Sequence, residues 1–158
     1  MDEKALFLKF WKKEAAATRA VIARIPEGSD YRPDPKSRTA REIAWLIVYE
    51  EIALAAGLEK GRFEWTEVPA PATMKEILAT YDREHDALTA RLEGLSPQQL
   101  EREVPFIYGG EEVMKAKGLE SGWGFLFDIV HHRGQISTYL RPMGSKVPQI
   151  YGPTADEP

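Results

Sequence analysis

Apolar and polar positions alternate along the chain in a way that predicts four long helices. Apolar side chains recur three and four residues apart, which is the spacing of one face of an α-helix. The predicted helices cover residues 2–25, 39–57, 73–92 and about 120–141. The second is apolar almost all round, so we expect it to be the most deeply packed.

Capping residues and helix breakers separate these segments. Thr39 with Glu42, and Thr73 with Glu76, have the spacing of capping boxes. Gly57 is expected to end the second helix. Residues 96–99 are predicted to form a short capped turn, and residues 104–110 at most a short strand. The Pro- and Gly-rich tail, 147–158, is predicted to lack regular structure, although its apolar residues can pack against the helices. The expected fold is therefore an all-α four-helix bundle with irregular connections, in a single domain spanning residues 1–158.

Composition and charge exclude several classes of function. The 158 residues contain no cysteine, which rules out disulfides, thiolate metal sites and cysteine nucleophiles. The net charge of −4 and the dispersed basic residues argue against nucleic acid as a partner. No apolar run approaches the roughly 20 residues of a membrane span, and the first residues lack the apolar core of a signal peptide. We expect a cytoplasmic protein that does not bind membranes.

Asp128 and His132 form a candidate chemical pair on the last predicted helix. They lie four residues apart on the last predicted helix and so share a face. They suit a divalent metal site, an Asp–His hydrogen bond that prepares a general base, or an ordinary surface ion pair. The neighbouring His131 points about 100° away. The apolar stripe of the helix favours His132 as the inward residue.

The end of the chain resembles a known family. The segments HHRGQISTYLRPMG, which begins at His131, and VPQIYGPTADEP are similar to the C-terminal signature of the DinB/YfiT-like family. This resemblance implies a four-helix bundle of up-down-down-up topology that commonly forms homodimers. It also implies a divalent metal held by three histidines, one on the second helix and two at His-x-x-x-His spacing on the last. The final one of these, which precedes Arg-Gly-Gln, corresponds to His132.

The sequence departs from the family's metal-binding pattern at two of these three positions. Asp128 stands where the first histidine of the pair is expected, and Leu46 stands near the position of the second-helix histidine. Glu50 lies one turn after Leu46 on the same face and can supply an oxygen donor. Asp128, His132 and Glu50 are therefore the predicted ligands of Zn, Ni, Fe or Mn. His85 and Glu14 are remoter substitutes.

Two functions follow from this comparison. Some proteins that the chain resembles are metal-dependent transferases or isomerases that use a thiol cofactor, which implies an enzyme acting on a small-molecule or thiol substrate. The replacement at Leu46 favours the alternative, a non-catalytic stress-response or small-molecule-binding bundle that has lost its metal. In that case Asp128 and His132 are a hydrogen-bonded pair left in the bundle.

Overall fold

Four long helices form the body of the protein, as the pattern of apolar residues predicts. A computed structural model describes residues 2–158. The helices, in chain order, are α1 Glu3–Ile22, α2 Ala40–Lys60, α3 Met74–Gly94, the single-turn α4 Pro97–Glu101 and α5 Gly118–Leu140. Helix α2 packs against both α3 and α5, and α1 packs against the same two helices. Within residues 2–158, no helix is both long enough and apolar enough to span a bilayer.

The predicted caps mostly form. Thr39 and Glu42 make the full capping box of α2, in which each side chain bonds the other residue's backbone amide. Ser96 and Gln99 do the same for α4. At α3 only half of the predicted box is present, because the Thr73 hydroxyl accepts from the Glu76 amide and no return bond is made. These side chains satisfy amides that helix starts leave unpaired.

The prediction that Gly57 ends α2 is wrong. The helix continues to Lys60 and ends at Gly61, whose φ of 82° is the left-handed conformation that glycine adopts without strain. Gly57 is instead needed for close packing, since a Cβ there would lie 2.0 Å from a ring carbon of Phe63. The absent side chain lets β1 approach the helix.

A three-stranded sheet corrects the prediction of an all-α fold. The strands are β1 Phe63–Trp65, β2 Glu103–Tyr108 and β3 Glu111–Lys117, in the order β1-β2-β3. Strand β1 runs parallel to β2, and β2 pairs antiparallel with β3. Gly109 and Gly110, with φ of 61° and 87°, form the two-residue turn between β2 and β3. Residues 104–110, predicted to hold at most a short strand, therefore contain most of the six-residue β2 and the turn of a hairpin that β3 completes.

The chain after α5 forms no helix or strand but is tied to the bundle. Val147 and Ile150 pack against the core, as expected for the apolar residues of the tail. The Tyr151 hydroxyl donates to Oε2 of Glu14 at 2.6 Å, and Arg133 Nη1 donates to the same oxygen at 2.7 Å. Burial alone raises the pKa of Glu14, but the hydrogen bonds from Tyr151 and Arg133 outweigh it and lower the pKa. A buried ion pair thus joins α1, α5 and the tail.

Candidate metal centre

Helices α2 and α5 bring together the three predicted ligands. Glu50 projects from α2 toward α5, where Asp128 and His132 stand one turn apart. Nε2 of His132 lies 3.3 Å from Oε1 of Glu50 and 3.5 Å from Oδ1 of Asp128. Candidate ligand atoms of the three side chains all lie within 4.8 Å of one another.

The cluster is closed on the protein side and open on the other. The side chains of Glu50, His132 and Asp128 are 3%, 13% and 56% exposed. Oε2 of Glu50 is buried and has no hydrogen-bond partner among residues 2–158. Burying a carboxylate oxygen without a partner is costly. An unsatisfied oxygen beside an imidazole and a second carboxylate is the environment that a cation would complete.

The distances fit a single divalent ion. Metal–ligand bonds of about 2.1 Å separate two tetrahedral ligands by about 3.4 Å. The 3.3 and 3.5 Å separations from His132 match that value. Two carboxylate oxygens and one imidazole nitrogen suit Mn, Fe, Zn or Ni. Three protein ligands leave a coordination position for water or substrate.

The three groups shift one another's pKa values. Burial raises the pKa of Glu50 to about 7, against the opposing attraction of His132. The hydrogen bond to His132 lowers the pKa of Asp128. Burial disfavours a charged His132, but its hydrogen bonds to Asp128 and Glu50 outweigh burial and raise its pKa to about 10. Without a metal, a proton on His132 therefore holds the two carboxylates together.

The residues around His132 explain the paired histidines. Nδ1 of His132 lies 3.1 Å from Oε1 of Gln135, and Nε2 of Gln135 lies 3.2 Å from Nε2 of His131. An Nδ1–H donated to Gln135 leaves Nε2 of His132 facing the carboxylates, which is the tautomer that a metal requires. Sequence patterns alone do not assign this role to Gln135. Its spacing of three residues from His132 was the available signal.

A cleft of about 880 Å³ opens at the cluster. Glu50, Asp128 and both neighbouring histidines line one part of it. Its other walls come largely from aromatic residues of the sheet and α5, namely Phe63, Trp65, Phe106, Tyr108, Phe125 and Phe127. Polar groups grouped within a largely apolar cleft are typical of small-molecule sites.

The remaining candidate residues lie elsewhere or have other partners. Leu46 lines the cleft one turn before Glu50 but offers no ligand atom. Nδ1 of His85 bonds Oε2 of Glu51 at 2.8 Å, so His85 belongs to a separate pair. Glu14 is engaged by Arg133, in the buried ion pair described above. The exposed His131 lines the cleft, bonds Gln135, and has its ring centroid 5.3 Å from that of His132.

Fold and site together define a mostly helical protein with a small three-stranded sheet and a candidate metal centre beside a largely aromatic cleft. The chain belongs to the DinB family, whose model matches residues 1–158. The resemblance seen in the signature HHRGQ segment is thereby confirmed. Among curated proteins, it is similar to the uncharacterized protein YrdA of Bacillus subtilis (strain 168), with 28% identity over 96% of this chain and 89% of that protein.

Solved structures of DinB-like proteins share the fold. A DinB-like protein from Bacillus cereus ATCC 10987 superimposes with a TM-score of 0.73 at 21% identity, covering 92% of this chain and 95% of that one. The DinB-like protein YjoA from Bacillus subtilis gives a TM-score of 0.70 at 21% identity, over 93% and 99% of the two chains. At this level of identity the similarity establishes the architecture, including the helical body described above.

Proposed function

We propose that Glu50, Asp128 and His132 bind one divalent metal ion and that the protein is a metal-dependent enzyme acting on a small molecule. The observation that carries the proposal is the convergence of three donors from two helices around the unpaired, buried Oε2 of Glu50. Zn, Ni, Fe and Mn all accept this oxygen and nitrogen set. A bound metal of this kind lowers the pKa of a coordinated thiol or water.

The reaction proposed is transfer of a low-molecular-weight thiol onto an electrophile. The sulfur forms a bond to the electrophilic carbon, the leaving group departs with its bonding electrons, and the thiol proton is released. The residues of the chain supply the arrangement. Asp128 and His132 face the open side of the cluster, while the aromatic walls of the cleft exclude water from an apolar electrophile.

Metal binding comes first among the tests. Protein purified without a histidine tag and treated with chelator is titrated with Zn²⁺, Mn²⁺ and Ni²⁺ in a calorimeter. We expect one ion per chain in the wild type, and binding at least 100-fold weaker after His132→Ala or Asp128→Asn. His131→Ala is the matched control, since its imidazole is adjacent but exposed. No binding by the wild type would overturn the proposal.

Thiol transfer is measured on the same proteins. A panel of low-molecular-weight thiols is offered with a generic chromogenic electrophile, and product is followed by absorbance. We expect metal-dependent turnover by the wild type and by His131→Ala, and none by His132→Ala. If the wild type binds metal but transfers no thiol, the proposed metal site stands and the proposed reaction is refuted.

The second candidate is a non-catalytic small-molecule-binding or stress-response bundle. Two features favour it. Leu46 offers no ligand atom on α2, and His132, whose pKa is raised to about 10, already pairs with both carboxylates. Under this alternative the cleft binds a ligand and no stoichiometric metal. The calorimetric titration distinguishes the two.

Assembly and location belong to the same proposal. The single chain exposes the large apolar residues Val113, Met114 and Phe127. Burying such residues against a second copy favours association. We propose a homodimer that works in the cytoplasm, without membrane or nucleic-acid partners. Light scattering at micromolar concentration is expected to give twice the mass of one chain, and a monomer would contradict it.

A further inference from the structure

A second cavity lies beside the cleft and continues it. Its volume is about 450 Å³, and it is bounded by α2 and by the chain around β1. Arg38, Leu46, Trp65 and Glu67 line both this cavity and the cleft of the metal centre. The shared residues show that the two spaces are adjacent, so one ligand can extend from one into the other.

The walls of the cavity are aromatic and fixed in place. Nε1 of Trp45 donates to the carbonyl oxygen of Val68 at 3.0 Å, and the Tyr49 hydroxyl lies 3.1 Å from Oγ1 of Thr66. The rings of Tyr49 and Trp65 meet edge to face, with centroids 4.9 Å apart. Because the polar ends of Trp45 and Tyr49 are hydrogen-bonded, the rings of these two residues are available to contact a flat apolar group.

One positively charged side chain at this cavity makes no ion pair, although the exposed Glu67 lines the same two cavities. Arg38 is exposed and makes no hydrogen bond or ion pair with any residue between 2 and 158. The nearby Glu42 is engaged instead by Thr39, whose amide and hydroxyl donate to its Oε2 at 2.7 and 2.9 Å. A guanidinium free at the junction of two cavities is suited to bind an anion.

We propose that the two cavities form one elongated site for a small aromatic anion, with its ring against Trp45, Tyr49 and Trp65 and its anionic group on Arg38. The inference deepens the proposed function, because it names the substrate class of the same cleft. The remainder of such a ligand reaches along Leu46 toward Glu50. Leu46 then has a positive role, since an apolar side chain there leaves an apolar path between the two cavities.

The test uses two dyes that differ by one sulfonate group. 1-Anilinonaphthalene-8-sulfonate carries a sulfonate, and N-phenyl-1-naphthylamine is the same ring system without it. Both are titrated by fluorescence into metal-free protein in the presence of chelator. We expect the wild type to bind the sulfonate about tenfold or more tightly than the neutral dye, in line with a hydrogen bond to a charged group. Equal affinity would overturn the proposal.

Substitutions in the cavity walls test where the two dyes bind. Arg38→Gln is expected to abolish the preference for the sulfonate and to leave the neutral dye unaffected, whereas Arg32→Gln, an exposed arginine outside both cavities, retains it. Leu46→Trp fills the shared wall and is expected to weaken both dyes about tenfold. Equal effects of Arg38→Gln and Arg32→Gln, or unchanged binding in Leu46→Trp, would refute the site.

Competition separates the kinds of anion. 1-Naphthoate and 1-naphthyl phosphate are each tested for displacement of the bound sulfonate dye, and displacement by either supports the proposal and ranks carboxylate against phosphate. If neither displaces the dye, the proposal fails. Because all arms are run without metal, failure here is distinct from failure of the metal site, which the calorimetric titration detects.

Discussion

Replacing Glu50 by glutamine tests two properties of the candidate metal centre: the stability that the protein loses by burying Glu50 without metal, and the stability that it gains when metal binds. Without metal, the carboxyl of Glu50 has a pKa of about 7 in the folded protein, against 4.5 as its ordinary value. A folded-state pKa that is raised means that Glu50 supports folding below pH 4.5 and loses that contribution as the pH rises through 7. At pH 8 the ionised, buried carboxylate therefore opposes folding.

The size of this effect follows from the two pKa values. At about 1.4 kcal/mol for each pH unit, the gap between 4.5 and about 7 amounts to about 3 kcal/mol at pH 8. The attraction of His132 is already contained in this figure, because it acts on the pKa of Glu50. At pH 5 the folded carboxyl is mostly protonated, and the difference falls to about 1 kcal/mol or less. We expect metal-free Glu50→Gln to be more stable than the wild type by about these amounts.

Metal reverses the order of stability. An ion that binds only the folded wild type stabilises it by about 4.1 kcal/mol when present at 1,000 times its dissociation constant, which exceeds the advantage of about 3 kcal/mol that Glu50→Gln has at pH 8. Glu50→Gln is expected to gain little, because an amide oxygen is a weaker ligand than a carboxylate. The assay is urea unfolding followed by circular dichroism at pH 5 and pH 8, with and without Zn²⁺.

Glu51→Gln is the matched control. Glu51 is the next residue of α2, is equally buried, and pairs with His85 on the other side of the helix at 2.8 Å. Its substitution is expected to leave the stabilisation by Zn²⁺ unchanged. The reasoning is refuted if Glu50→Gln gains as much from Zn²⁺ as the wild type, or if it is less stable than the wild type at pH 8 without metal.

Three further substitutions test other parts of the structure. Gln135→Leu removes the acceptor for Nδ1 of His132 and is expected to weaken metal binding about 10- to 100-fold by calorimetry; unchanged affinity would remove its positioning role. Arg133→Met leaves Glu14 buried without its cation and is expected to cost about 3–5 kcal/mol in urea unfolding, so a loss below about 1 kcal/mol would contradict the buried pair. Gly57→Ala is expected to destabilise by about 1–3 kcal/mol despite alanine's higher helix propensity, because its Cβ meets an aromatic ring, and a stabilised variant would disprove that contact.

Local rules account for the helical part of the fold. Apolar spacing and the capping pair Thr39 and Glu42 identify helices because both signals act within a few residues. The four-residue spacing of Asp128 and His132 likewise fixes their common face. Helix ends are less well determined by local sequence. Glycine is typical of a helix end, but Gly57 lies inside α2, where it packs against the ring of Phe63 in β1.

The sheet depends on contacts that local patterns do not contain. Strand β1 is three residues long and pairs in parallel with β2, about 40 residues later in the chain. Strand β3 carries mostly exposed residues, so its composition is also that of a solvated loop. The Gly109-Gly110 pair was the one local indication of a hairpin. Pro105 within β2 weakened it, because proline cannot donate in a sheet.

The site was partly accessible from the sequence. Glu50 is the predicted third ligand because it follows Leu46 on one helix face, and the structure places it against His132. Periodicity cannot set the register between α2 and α5, so the separations between the ligand atoms depend on how the two helices pack. The role of Gln135 and the free guanidinium of Arg38 depend on what surrounds each side chain, which spacing along one helix does not specify.

The buried ion pair of Glu14 and Arg133, with its hydrogen bond from Tyr151, affects the order in which the protein folds during synthesis. The hydroxyl of Tyr151 bonds a carboxylate 137 positions earlier, and Arg133 pairs with the same group across 119 positions. During synthesis α1 leaves the ribosome long before Arg133 or Tyr151 is added to the chain. Until then, Glu14 is an ordinary ionised side chain exposed to water. Burying it becomes favourable only once Arg133 and Tyr151 have left the ribosome, which makes closure of α1 onto α5 a late step in folding.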